Sequence, residues 1–228
     1  MKRTKQLFNA IKSEYKLIGD IWGGRYPDTD MYELSFLEKL IMSMLVFIRS
    51  FSIVHLKSLF LSKKIRSQIS ESYVLVWFVT LCFLLAFPSN AIWFPFPIIY
   101  RLIDGFNYRL CIVFVDRYKE GWGLRSLNRS FMLLLINYLE MIIGFAALYI
   151  YTGSIGAENM PPITGSWEAF YFSVVTITTL GYGDFSPICE TGQFLVAAQT
   201  LMGIVFIMLV VSTFLTGISG IKNLKDGE

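Results

Sequence analysis

Residues 166–184 read SWEAFYFSVVTITTLGYGD, and this stretch decides the fold. Ser166 reads as an N-cap and Glu168 lies in the first turn, so a helix starts here. At 1.5 Å per residue, about twelve residues reach only ~18 Å, too short to cross a bilayer. Such a helix enters a membrane and stops, at Thr179-Leu180-Gly181-Tyr182-Gly183-Asp184. Glycine tolerates left-handed backbone angles, so two glycines flanking one residue let successive carbonyls point the same way. Non-helical backbone at membrane depth survives only where it lines a watery path or is buried in protein. A row of carbonyls facing such a path can replace the hydration shell of a cation, and the negative end of the helix dipole favours the same charge.

The rest of the composition agrees with a bilayer setting. Hydrophobic residues make up 54% of the 228, charged residues only 16%, and the mean hydropathy is +0.54; soluble chains carry about 25% charged residues. The net charge of +3 is small and scattered, which argues against a nucleic-acid partner. Cys82, Cys111 and Cys189 are too far apart for metal-ligand spacing and require no disulfide. The N-terminus, MKRTKQLFNAIKSEYK, has no apolar core or cleavage site of a signal peptide and reads as cytoplasmic.

Ser72–Tyr100 and Thr191–Ile221 contain no Asp, Glu, Lys or Arg, and Ser130–Ile150 is broken only by Glu140. The last two are long enough to span. The first is interrupted by Pro88, Pro95 and Pro97 and reads as one kinked span or as a hairpin turning at Pro88-Ser89-Asn90. Leu34–Leu61 carries five charged or titratable residues and fits an interfacial amphipathic helix as well as a span. If the basic clusters at Lys2–Lys16, Lys57–Arg66, Arg101–Arg129 and Lys222/Lys225 all face the cytoplasm, only two full spans remain. The expected division is a cytoplasmic segment 1–33, a membrane-associated extension 34–128, a pore unit 129–221 and a short cytoplasmic tail 222–228, in a plasma or inner membrane.

TTLGYGD resembles the potassium-channel signature TTVGYGD. The resemblance extends over about residues 129–221 as outer helix, short pore helix, filter and inner helix, and Gly203 falls where that family's inner helices carry a hinge glycine. It implies an all-α membrane protein with a re-entrant pore helix, assembled as a homotetramer around a central pore. Thr179 would supply its hydroxyl and carbonyl at the inner mouth, and Leu180, Gly181 and Tyr182 the carbonyl rings above it. Gly183 would shape the outer exit, and Thr178, Asp184, Tyr171 and Phe172 would support the filter. Gly203 would hinge, and Ile204, Ile207 and Val211 would line the inner cavity. The implied function is passive potassium conduction, with K+ as the permeant ion, no cofactor and no enzymatic activity. The departures bear on the filter's resistance to collapse more than on ion choice: Leu180 replaces the common valine, Tyr171-Phe172 stand where many relatives have two tryptophans so that Phe172 cannot hydrogen-bond Tyr182, and Val175 sits where some members carry an acidic residue. A less selective cation channel and a non-conducting regulatory subunit are the alternative readings.

Glu140 sits near the centre of its span, where a charge costs about 2.5–3.5 kcal/mol on insertion scales, so it should meet protein or water. Arg101, Arg109, Arg117 and Arg125 recur every eight residues among Asp104, Asp116 and Glu120. A voltage-sensing helix needs arginines about every third residue on an apolar span. The pattern instead reads as a solvated or membrane-surface segment resting on anionic lipid. His55 is assigned no role.

Overall fold

The computed structural model describes residues 12, 15–24, 33–52, 63–115, 127–157 and 161–225. His55, Asp116, Arg117, Glu120, Arg125 and most of the 1–33 segment lie outside the described residues. The chain divides into two compact units, one of Met1–Tyr73 with Asp104–Arg125 and one of Val74–Ile103 with Ser126–Glu228.

In the first unit, helix α1 spans Phe36–Arg49. Ser35 accepts a hydrogen bond from the Glu38 amide while the Glu38 carboxylate accepts from the Ser35 amide, a reciprocal box that satisfies two of the helix's orphan donors. Met42, Leu45 and Val46 on α1 are buried with Ile21, Leu34, Cys111 and Val115. Asn107 donates to the Leu45 carbonyl at 3.3 Å, and the Tyr73 hydroxyl donates to Asp104 at 3.1 Å.

Two helices contribute residues to both units: α2, Lys63–Ala86, and α3, Pro95–Phe114. The break between them falls at Phe87–Phe94, where Pro88 has no amide for a continuing ladder and Pro95 occupies the first turn of the next helix, where a missing donor costs nothing.

The second unit is built on helix α4, Leu127–Thr152, followed by a two-residue strand β1 (Ile155–Gly156), helix α5 (Ser166–Ile177), strand β2 (Ser186–Pro187) and the long helix α6 (Glu190–Lys225). Phe131–Thr152 and Glu190–Ser212 are apolar enough and long enough to cross a membrane. Met141 to Tyr149 on α4 is buried without interruption, apolar throughout, against Ala169, Phe172 and Ile177 of α5 and Phe206 of α6. Leu81 of α2, Phe94 just before α3, and Ile98 and Leu102 of α3 join the same core.

The strands form a small antiparallel clasp, with Ile155 opposite Pro187 and Gly156 opposite Ser186. The Ile188 amide donates to the Ser154 carbonyl at 2.9 Å, and the Ile163 amide to the Ile155 carbonyl at 2.9 Å. Gly192, in the first turn of α6, passes so close that a Cβ there would lie 2.5 Å from the Ser154 carbonyl oxygen. The clasp ties the end of α4 to the start of α6, with α5 and the segment after it suspended between them.

Candidate functional site

α5 is twelve residues long, Ser166–Ile177, as its apolar run and Glu168 in the first turn suggest. Its N-cap is Gly165 rather than the Ser166 expected from local pattern. Ser166 is the first helical residue, and its hydroxyl donates to the Leu85 carbonyl at the end of α2 at 2.6 Å, so a tertiary acceptor wins over the local capping bond.

The segment after α5 is neither helix nor strand. Positive φ angles occur at Thr179 (59°), Gly181 (57°) and Gly183 (83°), with Leu180 and Tyr182 between them on the ordinary side. Alternation of left- and right-handed residues turns each peptide plane so that successive carbonyls face one way, whereas a uniform strand would point them alternately. Two of the three left-handed positions are glycines, where this geometry carries no Cβ penalty. The amides fold back onto the helix: Thr179 donates to the Thr176 carbonyl at 3.0 Å and Leu180 to the Val175 carbonyl at 3.0 Å. None of the carbonyls from 179 to 183 accepts a hydrogen bond from the described residues. The result is five consecutive free oxygens beyond the negative end of a helix, with Asp184 directly after the last of them. Among the described residues no His, Cys, Asp or Glu cluster could hold a metal ion.

The side chains named as support divide into two groups. Tyr171 lies edge-on to Phe185 with ring centres 6.3 Å apart, and a hydrogen bond to Asp184 pushes its phenol above the ordinary range. The Thr178 hydroxyl returns to the Val174 carbonyl at 2.7 Å, closing the end of α5. Phe172 is buried edge-on against Tyr149 of α4, ring centres 5.1 Å apart. Leu180 and Tyr182 are exposed in the single chain.

α6 runs unbroken through Gly203. A Cβ at Gly203 would lie 2.6 Å from Ile177 Cγ1 and 3.1 Å from the Ile177 carbonyl oxygen, so the glycine lets α6 pass directly behind the end of α5. Ile204, Ile207 and Val211 are 40–52% exposed. Only 22% of the α6 membrane window is covered within the chain, against 61% for α4.

One cluster at the site has no counterpart in the sequence reading. The Tyr149 hydroxyl donates to Gln199 Oε1 at 2.6 Å, and Gln199 Nε2 donates to the Ser173 carbonyl at 3.0 Å and to Ser173 Oγ at 2.7 Å. Ser173 Oγ in turn donates to the Ile142 carbonyl at 2.7 Å. All three residues are fully buried, and the chain of bonds links α4, α5 and α6 at the middle of the short helix. The signal that could have found it is Gln199, a polar residue within the apolar run 194–211.

Glu140 meets protein. Arg101 Nη2 sits 2.5 Å from Glu140 Oε2 and 2.8 Å from Asn137 Oδ1, with all three residues buried. Arg109 is likewise buried. This corrects the expectation that Arg101 and Arg109 belong to a solvated, lipid-resting segment: both lie buried on the continuous helix α3, and Arg101 pairs with a buried carboxylate that offsets part of its desolvation cost.

Residues 132–219 match the family described as "Ion channel". This segment resembles an ion-channel pore domain. The family it matches is a transport class rather than an enzymatic one. Curated relatives are potassium channels. The mouse protein named "Voltage-gated potassium channel KCNC1" is 32% identical over 109 residues, 45% of this chain and 21% of that protein. The human "Voltage-gated potassium channel KCNC4" is 32% identical over 109 residues, 45% of this chain and 17% of its own length. The rice "Two pore potassium channel a" is 33% identical over 89 residues, 39% of this chain and 25% of that protein. The chain thus spans about a quarter or less of the length of the curated relatives it matches. No solved structure matches.

Proposed function

We propose that the protein is a potassium-selective channel subunit that assembles as a homotetramer and conducts K+ passively. The observation that carries this reading is the alternating backbone of Thr179–Gly183 with its free carbonyls. One copy supplies a single column of oxygens; four copies around an axis supply square rings that can replace a potassium ion's water shell. The thinly covered face of α6, including Leu201 and Met208, is the surface on which neighbouring copies would pack. Ile204, Ile207 and Val211 would line the cavity below the filter, and Asp184 with Tyr171 would hold the loop from behind.

In this reading Thr179 coordinates at the inner mouth, Leu180, Gly181 and Tyr182 above it, and Gly183 at the exit. The pore helix adds its dipole, which favours a cation where water is scarce. Both termini lie on the cytoplasmic side, and gating motion falls to α6 or to the filter itself.

The test is flux. Purified protein in liposomes should pass K+ far better than Na+, with block by barium. Equal flux of both ions would assign it to less selective cation channels, and absence of flux under every imposed gradient and pH would assign it to non-conducting scaffolds.

A further inference from the structure

We propose that Val74–Ile103 is a helical hairpin immersed in the bilayer beside α4, with its outward face covered by lipid acyl chains. The inference rests on α4 lying in the membrane and is independent of which ion the pore selects. Contacts set the depth of the hairpin along α4. Phe94 stacks on Tyr151 with ring centres 5.7 Å apart, at the end of α4 where the clasp begins. A Cβ on Gly144 would meet Leu102 Cδ2 at 3.0 Å and Ile98 Cγ2 at 3.4 Å. Arg101 reaches Glu140 and Asn137, near the middle of the Phe131–Thr152 span. Residues 94, 98 and 101 therefore descend along α4 as its own numbers fall, an antiparallel pairing that carries α3 from one face of the membrane to its centre. The same helix continues past Arg101 to Phe114.

The other arm, α2, ends at the same level. Leu85 accepts the Ser166 hydroxyl at the start of the pore helix, and Trp77 lies against Tyr100 of α3 with ring centres 6.0 Å apart. The 71–86 stretch is apolar and about 24 Å long. What the hairpin turns outward is apolar as well: Val76, Val79, Phe83, Phe96, Ile99 and Ile103 are 43–65% exposed. Arg101 turns inward instead, onto Glu140 and Asn137. A membrane-surface location would strand the Arg101 guanidinium's partner at mid-bilayer and leave that apolar face in water.

The proposal places the Ser89-Asn90 turn on the same side of the membrane as Cys189, which follows the filter. The full chain is expressed in bacterial cells with Cys82 and Cys111 replaced by Ala. One version keeps Cys189 as the face reporter; the other carries Cys189→Ser and Ser89→Cys. A charged, membrane-impermeant maleimide is applied before and after permeabilisation. Labelling of both versions from the same compartment is expected. Labelling of Ser89→Cys only from the opposite compartment, or in neither, overturns the hairpin, while the compartment of Cys189 reports separately on the orientation of the pore. Nitroxides at Val79→Cys and Phe83→Cys in reconstituted phosphatidylcholine vesicles should collide with oxygen and be shielded from a nickel chelate. Access to nickel, or shielding from both, would replace acyl chains by water or by protein and overturn the proposed occupant.

Discussion

Gln199→Leu separates a structural filler from a residue that positions the filter. The leucine keeps the volume and apolar character of α6 and removes three hydrogen bonds: the acceptor of the Tyr149 hydroxyl at 2.6 Å and the donor to the Ser173 carbonyl and Oγ at 3.0 and 2.7 Å. Ser173 Oγ keeps its bond to Ile142, so the main loss falls on Tyr149, a donor left buried without a partner. Such an orphan costs about 1–3 kcal/mol, and polar contacts between membrane helices measure at about 0.6–1.7 kcal/mol. We expect a penalty of about 1–3 kcal/mol per subunit, read as a lower unfolding temperature of the detergent-solubilised protein. Because Ser173 sits in the middle of the pore helix, K+ over Na+ discrimination should fall alongside. Removing both partners in Tyr149→Phe/Gln199→Leu should recover most of the stability, since the orphan is gone. Unchanged unfolding in Gln199→Leu, or a Tyr149→Phe penalty that simply adds to it, would refute the reasoning.

Other outcomes follow from the same geometry. Gly181→Ala places a Cβ on a residue at φ 57°, and K+-selective flux should be lost while the protein still folds; wild-type ion preference in that variant would falsify the carbonyl assignment. Gly203→Ala drives a methyl into Ile177 and should cost about 1–3 kcal/mol of stability, partly relieved by Ile177→Ala, as measured by thermal unfolding. Arg101→Leu leaves Glu140 buried without its partner and should cost about 3–5 kcal/mol, while Arg101→Leu/Glu140→Leu should return close to the parent, a double-mutant cycle that additive penalties would contradict. Ser166→Ala should loosen the contact with Leu85 by about 1 kcal/mol and leave ion preference intact, since the local N-cap is Gly165.

What could be read from the sequence was local. Two glycines around a tyrosine demanded left-handed backbone, and a charge-free run of fixed length demanded a spanning helix; both are properties of neighbours in the chain. The Tyr149–Gln199–Ser173 node joins residues 26 and 50 positions apart, and a single glutamine in an apolar run has no periodicity to announce its partners. Ser166 shows the reverse error: its pattern is that of a cap, yet a carbonyl 81 residues away takes its hydroxyl. The eightfold spacing of arginines suggested a solvated segment because spacing says nothing about whether a carboxylate waits on another helix, as Glu140 does for Arg101. Phe172 was read for the hydrogen bond it cannot donate to Tyr182, and its packing against Tyr149 of α4 is a contact with a residue 23 positions away that no local pattern announces.

The two glycine contacts on α6 also define a lever. Gly192 rests on the Ser154 carbonyl and Gly203 on Ile177, so the upper third of the helix has no play against the clasp or the pore helix. From Gly203 the helix continues to Lys225, an arm of about 33 Å. Rotation of such an arm by about 7° about its pinned end carries the tip through about 4 Å, given a rise of 1.5 Å per residue. Motions small enough to leave the packing behind the filter undisturbed are thereby magnified where the four arms would converge, and stiffness at one end is the fulcrum for travel at the other.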